Sequence, residues 1–273
     1  MIPKLRVSCV GHLCALLTLL IFLSPLAAVA TDATETNTDK PLVLASVPPQ
    51  AFFIDRIAGD FVRSEAVIPP TADHGIFEPN MSQLSRYSKA IAYFKVGHPD
   101  FTFEKVWVSR ISEVNRGMRI FDCSEDIQLL PADPHVWVSI SAAAEMVANI
   151  AEGLTVLFPE RESVIDKNSQ QLIVEVVALG KSIRENIAAN SSRSHFISAH
   201  PYWGYFAREL NLTQIAIEEE GKEPNPARIA EIIEIAKKHR IKALLVQPQY
   251  SDQSARTIAR EIDGRLLEVD PFA

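Results

Sequence analysis

The chain has 273 residues, a formal net charge of −7 and a hydrophobic fraction of 47%. The acidic balance argues against a nucleic-acid partner and gives no attraction to anionic lipid. The length is sufficient for one large hydrophobic core or two modest ones.

The first 30 residues have the features of a secretory signal peptide. Lys4 and Arg6 form a basic start, residues 13–26 are strongly apolar, and residues 28–30 (Ala-Val-Ala) supply a small-residue cleavage site. The apolar segment is shorter than the roughly 20 residues of a membrane-spanning helix. No cysteine stands at the end of this segment, which argues against a lipid anchor. We therefore predict cleavage after Ala30 and a soluble protein in the periplasm.

The mature chain would be more acidic than the precursor. Removal of the signal leaves 25 basic and 34 acidic residues, a net charge of −9. Cys123 is then the only cysteine, so an intramolecular disulfide is excluded even in an oxidising compartment. Residues 31–40 are polar and lack aromatic side chains, which predicts a flexible leader.

Apolar runs of strand length alternate with helical patterns from residue 41 to residue 158. The predicted strands cover residues 41–46, 61–68, 90–96 and 118–121. The predicted helices cover residues 50–59, 81–90, 101–108 and 141–158. This alternation is typical of a parallel sheet flanked by helices, and we assign residues 41–158 to an N-terminal lobe.

Residues 159–190 form a predicted linking helix. Pro159 ends the preceding helix, and apolar residues then keep mostly helical spacing as far as residue 190. Thirty helical residues span about 45 Å, more than a lobe needs for its own packing. We expect this stiff connector to limit the closure of one lobe on the other.

The strand and helix alternation resumes in residues 191–273, the predicted C-terminal lobe. Its predicted strands cover residues 195–198, 212–217, 242–246 and 265–269. Its predicted helices cover residues 201–210, 226–239 and 251–262. The sequence therefore predicts an α/β fold of two lobes with mainly parallel sheets, joined by one long backbone helix.

Four polar side chains at strand ends or in the following loops are candidate metal ligands: His74, His135, His200 and Asp270. Their separations of 61, 65 and 70 residues exclude a local motif, so only a folded pair of lobes could bring them together. Ligands of open parallel sheets bind beyond the carboxyl ends of the strands. Three imidazoles and one carboxylate would enclose a zinc ion in a closed tetrahedral shell.

Each candidate also has an ordinary structural interpretation. A single histidine near a strand end is more often a satisfied polar group than a ligand. His98 and His195 are rival ligands, whereas His239 stands at a helix end among lysines and is expected to be solvated. Glu78 would either orient a ligand imidazole or be exposed.

Several segments in the same order resemble one protein family. They are residues 133–139 (Asp-Pro-His-Val-Trp-Val-Ser), 199–206 (Ala-His-Pro-Tyr-Trp-Gly-Tyr-Phe), and 247–251 followed by 266–271. They resemble motifs of the metal-specific solute-binding proteins of bacterial ABC importers, the zinc and manganese cluster A-I. The resemblance covers residues 41–273. It implies two α/β lobes with the metal between them, zinc as the transported ligand, and an ABC permease in the inner membrane as partner. It leaves a periplasmic metal chaperone open as a second partner, and we expect a monomer.

The chain departs from the family pattern in three places. His74 precedes Glu78 by four residues instead of three, no histidine-rich loop lies between residues 99 and 131, and Asp270 stands three residues from the last residue. Manganese members place a carboxylate where His200 stands, so the third imidazole favours zinc over Mn²⁺.

Three other functions are compatible with the same residues. One is a manganese-binding homologue. Another is a zinc hydrolase with three histidines and an activated water, in which Asp270 or Glu78 serves as the base. A third is an adhesin or a metal chaperone with the same site. We expect a transport protein without catalytic residues.

Overall fold

The computed structural model, which describes residues 40–189, 194–218 and 222–273, contains two separate four-stranded sheets. The predicted signal peptide and nearly all of the predicted leader lie outside the described residues. The described ranges belong to one compact unit, so the two sheets and their helices pack against each other.

The first sheet contains four parallel strands in the order β2-β1-β3-β4. These strands are β1 (Leu42–Ala45), β2 (Arg63–Ala66), β3 (Ala90–Lys95) and β4 (Arg119–Asp122). The helices of this lobe are α1 (Pro48–Ala58), α2 (Met81–Tyr87), α3 (Thr102–Val114) and α4 (Ile140–Leu157). All four residues of β1 are buried because β1 lies inside the sheet with helices on its faces.

Two of these helices differ from a simple reading of the sequence. Helix α3 continues to Val114, beyond the predicted end at Val108, because Ile111 is fully buried and extends the packed face. Helix α4 is long and apolar enough to cross a membrane by length and composition. Eight of its residues are buried in the first lobe, however, so its apolar surface serves the core.

The long helix α5 (Glu162–Ala189) follows a single 3-10 turn over Pro159–Arg161 and joins the two lobes. It packs on α4 and α1. Gly180 permits close packing, since a Cβ there would lie 2.3 Å from the side chain of Ile140 at the start of α4. The predicted linking helix is thus present with nearly the predicted ends.

The second sheet has the same parallel topology, in the order β6-β5-β7-β8. Its strands are β5 (His195–Ser198), β6 (Thr213–Ala216), β7 (Ala243–Val246) and β8 (Arg265–Glu268). Its helices are α6 (Gly204–Glu209), α7 (Pro226–Lys238) and α8 (Gln253–Glu261). A separate core between sheet and helices includes Ile197, Ile232, Leu244 and Ile258.

The strand order changes direction once in each sheet, between β1 and β3 and between β5 and β7. Crevices for ligands form at the carboxyl ends of strands at such points. The loop after β2 carries His74 and the loop after β5 carries His200, while His135 lies in the long connection between β4 and α4. Cys123, directly after β4, is fully buried, and burial raises the pKa of its thiol well above the ordinary value.

Substitution of Gly153 provides a test of how closely α4 packs against the first sheet. A Cβ there would lie 2.6 Å from the buried ring of Phe94 and 3.0 Å from Phe121. Because the core cannot easily make room, Gly153→Val should lower the free energy of unfolding by about 1–3 kcal/mol. Urea unfolding of both proteins measures the change. Gly117→Val is the control, since its Cβ would meet only Asn115 at 3.7 Å; equal losses in the two variants would contradict the packing.

Candidate metal centre

Three of the four predicted ligands converge on one point between the lobes. One ligand atom from each of His74, His135 and His200 lies within 4.8 Å of the other two. The Nε2 atoms of His74 and His135 are 3.0 Å apart. Two nitrogens bound to one tetrahedral zinc ion at 2.0–2.1 Å would be separated by about 3.3 Å. The spacing of this pair therefore suits a shared metal ion.

The three rings also face one another at suitable angles. Their centroids are 5.0 to 5.6 Å apart, and their planes cross at 65° to 88°. Rings at steep mutual angles can direct one lone pair each towards a common centre without stacking. The three residues are 3% to 8% exposed, so a metal ion bound there would be almost enclosed by protein.

Carboxylates fix the orientation of two of the three imidazoles. Asp133 Oδ1 accepts a hydrogen bond from His135 Nδ1 at 2.7 Å and from the His135 backbone amide at 3.1 Å. Glu218 Oε2 accepts from His200 Nδ1 at 2.7 Å. Each bond places the proton on Nδ1 and leaves Nε2 as the free donor for a metal, the usual support of a histidine ligand.

Burial keeps His74 and His135 in the metal-binding protonation state. Desolvation, followed by the neighbouring histidines, holds the pKa of His74 and of His135 well below 6.5. Desolvation also raises the pKa of Asp133 to about 6. At neutral pH His74 and His135 are therefore uncharged, and Asp133 remains ionised beside the Nδ1 proton of His135.

The rival residues have other partners. His98 uses both ring nitrogens: its Nδ1 accepts from the Asp100 amide, and its Nε2 donates to the Leu130 carbonyl. His195 and His239 stack on each other with centroids 3.7 Å apart, away from the three-histidine group. Glu78 is exposed, and the orienting role considered for it is taken by Asp133 and Glu218.

Asp270 lies outside the group of ligand atoms within 4.8 Å of one another. Its Oδ1 accepts from Gln249 Nε2 at 2.8 Å and from the Phe272 amide at 2.9 Å. A second carboxylate, Asp73, directly precedes His74 and accepts from the Tyr250 hydroxyl at 3.1 Å. Burial raises the pKa of Tyr202, whose ring lies beside the site. The nearby carboxylates of Asp73, Asp270 and Glu218 raise it further.

Aromatic rings enclose the histidines. Tyr202 lies 4.3 Å from His135 and 4.8 Å from His200 between ring centroids, and Tyr250 stacks on His200 at 4.6 Å and 15°. Trp137 lies 5.4 Å from His135 and donates its indole N–H to the Pro271 carbonyl across the lobes. These rings exclude water and strengthen the attraction between a cation and its ligands.

Sequence reasoning missed the residues that support the ligands. Asp133 directly precedes Pro134, a pattern typical of a turn. Glu218 begins a run of three glutamates, a pattern typical of a solvated loop. Gln249 and Tyr250 lie in a segment that resembles a family motif, but no sequence pattern around them indicates a contact with the site. Only the tertiary structure shows that these groups contact the site.

Two parallel-sheet lobes, a rigid linking helix and a buried trio of histidines at the carboxyl ends of the strands define a two-lobed metal-binding protein of the α/β class. Three neutral nitrogen donors suit a borderline cation such as zinc. The arrangement can hold and shield an ion between the lobes.

The chain belongs to the family described as zinc-uptake complex component A, periplasmic (ZnuA), whose model matches residues 43–273. It is 25% identical to the high-affinity zinc uptake system protein ZnuA of Bacillus subtilis, over 85% of this chain and 79% of that protein. It is 23% identical to the metal ABC transporter substrate-binding lipoprotein ScbA of Streptococcus cristatus, over 90% and 85% of the two chains. A crystal structure of ZnuA superposes with a TM-score of 0.82 at 32% identity, covering 86% of this chain and 92% of that chain. The fold and the family expected from the sequence are confirmed.

The carboxylate that orients His200 provides a test of the site. Glu218→Gln should lower zinc affinity by about 10- to 100-fold, because the imidazole loses the charged acceptor that fixes its tautomer and orientation. Competition with a chromophoric chelator measures the affinity. Glu78→Gln is the matched control and should bind like the wild type, since Glu78 is exposed. Equal affinities for the wild type and Glu218→Gln would contradict the orienting role.

Proposed function

We propose that the protein captures zinc in the periplasm through His74, His135 and His200 and delivers it to a cognate ABC permease in the inner membrane. The observation that carries the proposal is the buried trio of imidazoles from both lobes, two of them held with Nε2 free by carboxylates. Family membership supports zinc uptake as the context. Zinc is the cargo of this site, held for transfer.

Asp270 completes the shell as the fourth ligand in this proposal. Its Oδ1 is engaged by Gln249 and the Phe272 amide, so Oδ2 is the oxygen to turn towards the ion. Asp73 is the alternative, since it is adjacent to His74 in the chain and its Oδ1 is tied to Tyr250. A carboxylate in fourth place favours a closed shell that retains zinc over an open shell with an activated water.

The cellular setting follows from the same proposal. Residues 1–30 direct export and are cleaved, and residues 41–158 and 191–273 form the two metal-binding lobes around the linking helix of residues 159–190. The protein acts as a monomer and has no catalytic residues. The permease is its main partner, and a periplasmic metal chaperone is a second source or recipient of zinc.

Metal content and competition test the proposed cargo. Elemental analysis of the purified protein should find about one zinc per chain, and a large excess of Mn²⁺ should not displace it, because three imidazoles disfavour a hard cation. His74→Ala, His135→Ala and His200→Ala should each lose high-affinity binding. Zinc affinities of Asp270→Asn and Asp73→Asn identify the fourth ligand, because replacement of the true ligand should cause the larger loss of affinity. Unchanged affinity in the histidine variants, or hydrolysis of model esters that depends on bound zinc, would contradict the proposal.

Proton release on binding follows from the lowered pKa of His74 and His135. Because these two imidazoles are already neutral, zinc binding at pH 7.5 should release less than about one proton per ion. Calorimetric titration in buffers of different ionisation enthalpy measures the number. Below the pKa of the two imidazoles zinc must displace their protons, so affinity should fall steeply at acid pH. Release of two or more protons at pH 7.5 would show that the histidines are charged in the metal-free protein.

A further inference from the structure

Helix α6 belongs to the second lobe in sequence but is attached to the first lobe along its whole length. At its start, a Cβ on Gly204 would lie 2.1 Å from Asp133 Oδ2, so the side chain of Asp133 packs directly against the backbone of Gly204. At the next position, Tyr205 is 1% exposed within the first lobe's core, and its hydroxyl accepts from the Leu130 amide at 2.8 Å. Arg208 donates to the Gln128 carbonyl.

The last residue of α6, Glu209, makes the strongest of these attachments. Its Oε2 accepts from the Ile140 amide at 2.9 Å, the Ser141 amide at 3.2 Å and the Ser139 hydroxyl at 3.1 Å. Its Oε1 accepts from Arg184 on the linking helix. The side chain is only 13% exposed. One carboxylate thus joins the first lobe, the second lobe and the helix between them.

The contacts of Glu209 complete the amino terminus of α4. The first amides of a helix have no partner within the helix. Ser139 accepts from the Ala142 amide, and Glu209 takes the two amides before it. A carboxylate at this end also interacts favourably with the helix dipole, and Arg184 balances its charge. Both oxygens of Glu209 are therefore used at this joint, and the Glu209 side chain itself is largely buried.

This joint lies close in sequence to two metal ligands from opposite lobes. His135 precedes Ile140, the first residue of α4, by five positions, and His200 precedes Gly204, the first residue of α6, by four. A shift of α6 relative to α4 would change the separation of the two imidazoles directly. The same shift would disturb Asp133, which contacts both Gly204 and His135.

We infer that Glu209 is a positioning residue for metal binding: by capping α4 from α6 it fixes His135 and His200 at the distance that one ion requires. The inference rests on the proposed function of the three histidines. With this side of the cleft fixed, the pair from opposite lobes is in place before the metal arrives. Motion that admits zinc is left to the far side, where Tyr250 contacts Asp73 and Gln249 contacts Pro70 across the lobes.

Substitution of Glu209, with metal readouts, tests the inference. Glu209→Ala should lower zinc affinity by about 10-fold or more, the loss typical of a residue that orients ligands from outside the shell. It should also alter the visible spectrum of the Co²⁺ complex, which reports the ligand geometry. Glu209→Gln, whose amide oxygen can still accept from α4, should restore part of both. This second variant also carries the test if Glu209→Ala fails to fold.

Glu175→Ala is the matched control. Glu175 lies on the linking helix α5 and, like Glu209, pairs with an arginine: its carboxylate is 2.7 Å from Arg56. This pair is exposed and does not connect the two lobes. The zinc affinity and the Co²⁺ spectrum of Glu175→Ala should equal those of the wild type. Glu209 variants that unfold at lower temperature yet keep the wild-type affinity and spectrum would overturn the inference. Failure of the wild type to bind zinc would overturn the proposed function as well, so the two failures are distinguishable.

Discussion

Three imidazoles confined to one dry space between two lobes are the constraint on which the rest of this structure depends. Within this cluster, burial and the neighbouring histidines lower the pKa of His74 and of His135, so these two imidazoles are uncharged at neutral pH. The cluster also cannot rotate freely, since Asp133 and Glu218 occupy the ring nitrogens that face away from the centre. The fold has to supply uncharged donors, fixed rings and exclusion of water at the same place. These are the requirements of a strong metal ligand set.

The two lobes meet these requirements through shared packing. Tyr202, Tyr205 and Phe272 come from the second lobe, yet they are buried in the hydrophobic cluster of the first. The aromatic wall of the metal site is therefore also the contact surface of the lobes. A change in lobe arrangement alters the surroundings of the cation, and occupancy of the site in turn favours one arrangement of the lobes.

The sequence was sufficient for the strands and the linking helix, and it singled out three histidines that the fold brings together, for a physical reason. Alternating apolar runs depend on local periodicity, and a histidine in a loop after a strand belongs to the carboxyl edge of a parallel sheet. His98 stood in an equally suitable loop, and only its two hydrogen bonds to backbone groups distinguish it from His74. Glu218 and Glu209 could not be identified, because their partners lie 18 and about 70 residues away in the chain and no local pattern marks such pairs. The placement of Asp270 in the shell stays a prediction.

The isolated thiol of Cys123 has a consequence for the chemistry of the cargo. A thiolate is among the strongest zinc ligands available to a protein, and in an oxidising compartment it is also the group most prone to mixed disulfides. Here Cys123 directly follows β4 and is fully buried, and burial raises the pKa of its thiol so that the sulfur keeps its proton. Within the described residues, no thiolate therefore competes with the histidines for a metal ion.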